Sequence, residues 1–383
     1  MPEALKCLPR RMFIATVTAA LLFRRAFATP SVENSLSVIA RLPFSCSGVA
    51  VTPDNAIFLG LPRFPGNEAT FSVGRIEPNG TLRPFPGGRW NEWRNGRDGT
   101  SAFVMVNAVH VFADGTLWVV DQGAPPGKTP APGAQKLVQI NAVDGSILRV
   151  VRFAEKFMPP QAQFNDLRIH GDILFVTDSG IGGIIIHNLQ TGRTRRRLSA
   201  QPAVRKDNSH VHRGSEGHAL RDPQGHLPIV QSDDIEVDAT GTWLYFSVPA
   251  GPLKKIRVSD LLDEEKSDID LNNLVMVVAE IPSIGGTCID SMGNFYLSDV
   301  ENHQIIVLAP DGKRSTLVQD PRLISPDALF IDRQRRLYIP CPQLEKLPIF
   351  NSGKNDTRPP FLVLSMPLPE RLGSLPLGNA VEG

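Results

Sequence analysis

The chain is short of several things, and each shortage removes a class of protein. Its 383 residues include only four cysteines, with no Cys-x-x-Cys pair to make a thiolate zinc site. It has no run of 18 consecutive apolar residues, the length a membrane-spanning helix needs. Forty basic residues against 39 acidic ones leave a net charge of +1, so no excess of either sign recommends nucleic acid as a partner. There is no Gly-x-Ser-x-Gly elbow and no phosphate-cradling glycine loop, which removes the serine-hydrolase and nucleotide-enzyme classes. Turn formers, by contrast, are abundant. With 32 glycines and 33 prolines, the chain reads as many short elements joined by turns.

Residues 1–28 read as an export signal. A basic stretch ending at Arg10-Arg11 precedes an apolar run from Met12 to Phe23, and Ala26-Phe27-Ala28 supplies a small-x-small cleavage pattern. The string Arg10-Arg11-Met12-Phe13-Ile14 resembles a twin-arginine motif, with Pro9 as a departure from it. A plain signal peptide or an uncleaved anchor is the alternative. The expected location is periplasmic or extracellular, with residues 29–383 as the working domain. Cys7 belongs to the signal, so Cys46, Cys288 and Cys341 remain. An oxidising compartment permits one disulfide among them, although burial as small apolar side chains on strands is the better reading.

The most informative string runs from Asn107 to Asp121. Apolar residues alternate at Val109 and Val111, Asp114-Gly115 turns the chain, and a second apolar run follows over 117–120. That is a β-hairpin with its turn chemistry written in. The same frame begins at Ser47, Asn165, Asp233, Gly285 and Asp327, and the six starts are spaced 60, 58, 68, 52 and 42 residues apart. A second strand pair follows most copies, as in Gln304-Ile-Ile-Val-Leu308, then Asp311-Gly312, then Ser315-Thr-Leu-Val318. Four strands per unit make one blade, so the chain is expected to be all-β, a single six-bladed β-propeller. The strand Ser37-Val-Ile-Ala-Arg-Leu42 is expected to close the last blade beside Phe361-Leu-Val-Leu-Ser-Met366. Asp121, Asp178 and Asp299 recur after the second strand of their hairpins, which points to a structural hydrogen bond repeated from blade to blade.

In a propeller the innermost strand of each blade lines the central channel, so the six frame starts gather near one mouth. Four of them, Asn107, Asn165, Asp233 and Asp327, carry amide or carboxylate oxygens. Such a ring suits a hard cation such as Ca²⁺ or Mg²⁺, which could polarise an ester carbonyl or lower the pKa of a water. The plainer reading is that these residues cap turns.

The whole chain beyond the signal resembles the bacterial branch of the Yellow / major royal jelly protein family. Gly48-Val-Ala-Val51, Leu61-Pro-Arg-Phe64, Leu117-Trp-Val-Val-Asp-Gln-Gly123, Phe164-Asn-Asp-Leu-Arg168 and Val176-Thr-Asp-Ser-Gly180 carry the first half of the likeness. Asp320-Pro-Arg-Leu323, Ser325-Pro-Asp327, Leu344-Glu-Lys-Leu-Pro-Ile-Phe-Asn351 and Arg358-Pro-Pro-Phe361 carry the second. The resemblance implies a secreted six-bladed propeller. It leaves chemistry open, since the family includes dopachrome-converting enzymes alongside amine-binding and structural proteins. More distantly, the frame is similar to calcium-dependent lactonases and phosphotriesterases of the gluconolactonase and diisopropylfluorophosphatase type. Those hold calcium with a Glu, two Asn and an Asp, and here Asn107, Asn165 and Asp233 match the last three. Ser47 stands where the Glu would be, with Asp327 or Asp234 as candidate compensators.

An insertion over residues 199–231 carries His210, His212, His218 and His226. It is expected to overhang the same mouth, and the i, i+2 spacing of His210 and His212 would place two imidazoles on one side as acid/base groups. A solvated polar loop is the alternative. Two functions stand from these readings. One is a divalent-metal-dependent hydrolase, lactonase or related isomerase on a small cyclic metabolite, with the metal at Asn107, Asn165 and Asp233, protons carried by Asp327, His210 or His212, and Ser47 and Asp234 in the ligand pocket. The other is a non-catalytic binder of a small amine in the same pocket. Either way the partner is a small molecule.

Overall fold

Each hairpin forms because its turn is chemically specified. At Asp114-Gly115 the Asp114 carboxylate accepts the Thr116 backbone N–H at 2.9 Å, and Gly115 takes a φ of +72° that its lack of a Cβ permits. The flanking strands Val106–Val111 and Leu117–Asp121 then pair antiparallel. The computed structural model describes residues 36–207 and 209–383, all within one compact unit. The export signal expected over residues 1–28 lies outside them. No helix among the described residues is long and apolar enough to cross a membrane.

Six four-stranded antiparallel sheets follow one another along the chain. Their inner strands are Gly48–Val51, Val106–Val111, Phe164–His170, Ile235–Val237, Ile284–Ile289 and Phe330–Ile331, for blades one to six. The protein is a six-bladed β-propeller, as the repeat predicts. Its apolar clusters sit largely between neighbouring blades: Phe164, Leu174 and Trp118 join blades two and three, while Phe175, Ile186, Leu244 and Ile256 join three and four. No blade buries both faces by itself, so each depends on the next.

The ring closes in blade six. There Ser37–Leu42 is the outermost strand and pairs with Phe361–Pro367, bringing Ser37 opposite Ser365 and Leu42 opposite Phe361. Blade four carries the only two α-helices among the described residues, Val258–Leu262 and Asp268–Leu274, between its third and fourth strands. Ser267 and Asp270 cap the second reciprocally.

The recurrent aspartates serve the scaffold. Asp121 accepts the N–H groups of Val104, Met105 and Gly123, and Lys136 Nζ lies 2.6 Å from its Oδ2. The same ammonium meets the carbonyls of Gly99, Ala102 and Ala134, each at 2.8 Å. Both side chains are wholly buried, so the desolvation of each charge is offset by a complete set of partners. Asp178 repeats the scheme with Gln163 N–H, Gly180 N–H and Arg196. Asp299 instead accepts from Asn302 and Gln304. The three cysteines Cys46, Cys288 and Cys341 are free and buried.

At the mouth opposite the frame residues, residues 378–382 run across the channel. Asn379 O accepts from Ser291 N–H of blade five, Glu382 pairs with Arg333 of blade six, and Glu382 O accepts from Ala113 N–H of blade two.

Replacing Lys136 with methionine strands the Asp121 charge and three carbonyls. The expected loss is about 3–5 kcal/mol in urea unfolding. A loss below about 1 kcal/mol, the range of an exposed pair, would show that this pair contributes little to the fold.

Candidate functional site

All six frame residues, Ser47, Asn107, Asn165, Asp233, Gly285 and Asp327, line one cavity of about 270 Å³ at the channel mouth. The local reason is a set of β-bulges. The register between the first two strands shifts between Val106 and Ala108 in blade two, between Phe164 and Leu167 in blade three, and between Ile284 and Thr287 in blade five. Each bulge spans its frame residue, releasing it from strict alternation so that it lines the channel. In blade three the bulge is long enough that Asn165 and its neighbour Asp166 both line the cavity. In blade five the released residues are Gly285 and Gly286. A Cβ on Gly285 would lie 2.3 Å from Pro326 O, and one on Gly286 would lie 2.6 Å from the Ala328 backbone. Blades five and six approach too closely there for any side chain, which is why this frame position lacks an oxygen donor.

The floor is polar. Asn107 Nδ2 donates to Asn165 Oδ1 at 2.9 Å, and Asp234 accepts the Ser247 hydroxyl at 2.7 Å. Below them the Arg168 guanidinium holds Glu236 through two bonds of 2.9 and 2.8 Å and Asp166 through one of 2.8 Å. Thr287 donates to Glu236 at 2.9 Å, tying blade five to the same group. Arg168 and Glu236 also line a smaller cavity of about 40 Å³ on the far side, bounded by Ala380, Val381 and Glu382. This ion pair therefore divides the channel in two.

The insertion over residues 199–231 lies across the mouth, as its place in the sequence predicts. Glu345, on a short 3-10 turn after the second strand of blade six, accepts both the N–H and the hydroxyl of Ser215 at 2.6 Å. Arg221 N–H donates to Phe350 O, and Arg213 N–H to Ser283 Oγ. His212, Leu220, Pro228, Ile229 and Val230 of this strap face the cavity. His210 does not, which corrects the expectation that it works beside His212. A turn closed by His210 N–H on Asp207 O precedes the pair, so the segment is not extended, and His210 Nε2 lies 3.1 Å from Glu280. His218 contacts the Ser215 carbonyl and His226 contacts Asp222; neither lines the cavity.

Charge is distributed one-sidedly. Among the described residues lining the cavity there are five carboxylates, Asp166, Asp233, Asp234, Asp327 and Glu345, and no lysine or arginine. Burial raises Asp327 to about 8, helped by the Asp234 charge and opposed by the Ser47 hydroxyl. Burial also raises Asp234 to about 7 against the Ser247 hydrogen bond, with Asp166 and Glu236 adding to the rise. Asp233 is pushed well up by burial first, then by Asp234, Asp327 and Asp166, with Asn165 opposing. His212 goes the other way, down to about 4, because burial and then Lys206 disfavour the imidazolium. The site therefore has proton donors in Asp327 and Asp234 and a neutral imidazole in His212.

No protein-family model matches the chain, and no curated protein matches it. Solved structures show the fold. The chain is similar to a gluconolactonase from Xanthomonas campestris at 15% identity, covering 87% of this chain and 89% of that one with a TM-score of 0.53. It is similar to regucalcin, a calcium-binding protein from Agrobacterium tumefaciens, at 11% identity, covering 90% and 95% with a TM-score of 0.52. A luciferin-regenerating enzyme matches at 10% identity over 91% and 98%, with a TM-score of 0.53. The architecture is thus shared with gluconolactonase- and regucalcin-type propellers.

Asp166, Glu345 and the Arg168–Glu236 pair were not among the sequence-level candidates. The signal for Asp166 is its position beside frame residue Asn165. Glu345 has no such signal, since only folding brings it 130 residues back to Ser215.

Carboxyls with raised folded-state pKa release protons more readily in the unfolded chain, at about 3.9. With divalent cations stripped away, stability is expected to fall as pH rises from about 4 through the values of about 7 and about 8 of Asp234 and Asp327. His212 contributes with opposite sign, losing stability as pH falls from about 6.5 through about 4. Denaturant unfolding across pH, repeated on Asp327→Asn, checks this. The substitution should flatten the decline on the alkaline side, and an unchanged slope would contradict the assignment.

Proposed function

We propose that the protein is an exported hydrolase acting on a lactone or related ester of a small cyclic metabolite, with a divalent cation held at the cavity floor. The observation that carries this reading is the lining itself: it has no lysine or arginine among the described residues, and Asp233, Asp234 and Asp327 stand on it without a cationic partner, in a cavity floored by amide oxygens. Such a site calls for a cation. Asn107, Asn165 and Asp233 are hard oxygen donors at the starts of three consecutive inner strands, and they fit Ca²⁺ or Mg²⁺ in chemical type. The likeness to a gluconolactonase and to a calcium-binding regucalcin supports the same reading. Ser47 contributes no anionic oxygen where a Glu would, and no cluster of three or more His, Cys, Asp or Glu suited to a metal is found among the described residues.

A divalent cation at those three residues would supply polarisation of a carbonyl and acidification of a water. The chain's own groups do the rest. Asp327, which burial raises to about 8 in the metal-free cavity, lines the same site and is placed to exchange a proton with a leaving oxygen. His212, neutral and carried by the strap, can accept a hydrogen bond from a bound hydroxyl or water. The strap itself, latched by Glu345, lines one side of the cavity with His212, Leu220 and Val230.

The second reading, a non-catalytic binder of a small amine, is favoured by Ser47 and by the same surplus of carboxylates, which would receive an ammonium as readily as a metal. It goes with the Yellow-type resemblance of the sequence.

Calorimetric titration of the metal-free protein with Ca²⁺ separates the two. One site is expected, with affinity lost by at least tenfold in Asn165→Ala and in Asp233→Ala, and lactone hydrolysis lost with it. Absence of Ca²⁺ and Mg²⁺ binding in the unmutated protein would remove the hydrolase reading and leave the amine binder.

A further inference from the structure

Beside its polar groups the cavity carries a stretch of apolar wall. Phe64, Leu220, Ile229, Val230, Ile349 and Phe350 form the upper wall, contributed by blade one, the strap and the segment after the short turn at Glu345. Ile229 is 72% exposed, one of the most exposed large apolar side chains among the described residues, and it stands on the cavity lining. An isoleucine this exposed at the edge of a polar-floored cavity contributes little to the strap's own packing. The strap is already anchored by the Glu345–Ser215 bonds and by Arg221 on Phe350. The polar side chains on the wall are partly spent on one another: Gln163 donates to Gln122 at 2.8 Å, and both oxygens of Glu345 are taken by Ser215.

A polyhydroxylated ring would need a hydrogen-bond partner for each hydroxyl along this wall, and burying any that lacked one is costly. An apolar substituent needs only contact area. We infer that the ligand is amphiphilic: a small polar or cyclic-ester head seated on the floor, carrying an alkyl or aryl tail that leaves along Ile229 and Phe350. The inference rests on the cavity being the functional site and deepens that reading by naming the ligand class.

The test uses Ca²⁺-loaded protein and a series of δ-lactones bearing 5-alkyl chains of zero to six carbons, with glucono-δ-lactone as the hydroxylated comparison. Affinity is read twice, as KM and as Kd by calorimetry on the ring-opened hydroxy acids. Each added methylene is expected to tighten binding by up to about fourfold, and glucono-δ-lactone should bind more weakly than the longer alkyl lactones. Ile229→Asp should flatten the chain-length gradient; because the side chain is exposed, the variant is expected to fold as the parent does. A gradient in Kd without turnover would uphold the amphiphilic ligand while removing the hydrolase reading. A flat series, or tighter binding of the hydroxylated compound, would overturn the inference whether or not hydrolysis is seen.

Discussion

Everything in this molecule depends on one strand pairing, that of Ser37–Leu42 with Phe361–Pro367. Apolar clusters between blades bury each sheet against its neighbour, and a row of sheets has two unburied ends until the ring is shut. Closing it with a strand from the start of the described chain leaves blade six without a free end. The same closure sets the cavity. Residues as far apart in sequence as Ser47 and Asp327 share one lining because blades one and six are made neighbours.

The second organising fact is where the charges are allowed to find partners. In the scaffold the buried acids Asp121 and Asp178 are answered completely, by backbone donors and by Lys136 or Arg196. At the channel floor the only guanidinium, among the described residues in contact with the site acids, is that of Arg168, and it is already shared between Asp166 and Glu236. Asp233, Asp234 and Asp327 are left to raise their pKa values or to meet something from outside. A protein that satisfies its other buried acids so thoroughly keeps these three short of positive charge, and the imbalance is what separates a binding site from an ordinary stretch of core.

The fold was legible because its signals are local. Asp-Gly turns and alternating apolar residues mark each hairpin, and six copies in frame leave little freedom of architecture. The positions of the frame residues followed from the same count. What alternation could not show was the bulges, since an inserted residue breaks the period of two on which the reading relies; hence Asp166 went unnoticed beside Asn165. His210 and His212 were paired on the assumption of an extended segment, but a turn closed on Asp207 leads into them and His210 is directed to Glu280 while His212 lines the cavity. Several strings that carry the family resemblance turn out to be anchors. Arg63 of Leu61-Pro-Arg-Phe64 is buried and donates to the carbonyls of Phe103 and Val104, and Arg322 grips Asp320. Glu345 of Leu344-Glu-Lys holds the strap. Such residues report on architecture, so the likeness speaks to fold more strongly than to chemistry.

The division of the channel by Arg168 and Glu236 has a kinetic consequence. A propeller axis can in principle be a passage, with traffic moving from one face to the other. Here the guanidinium and residues 378–382 turn the passage into a well. Whatever arrives over Ile229 must depart over Ile229, so occupants take turns. Under the proposed hydrolysis, a product that lingers would block its successor, and the rim that attracts a ligand would also set how long its remnant stays.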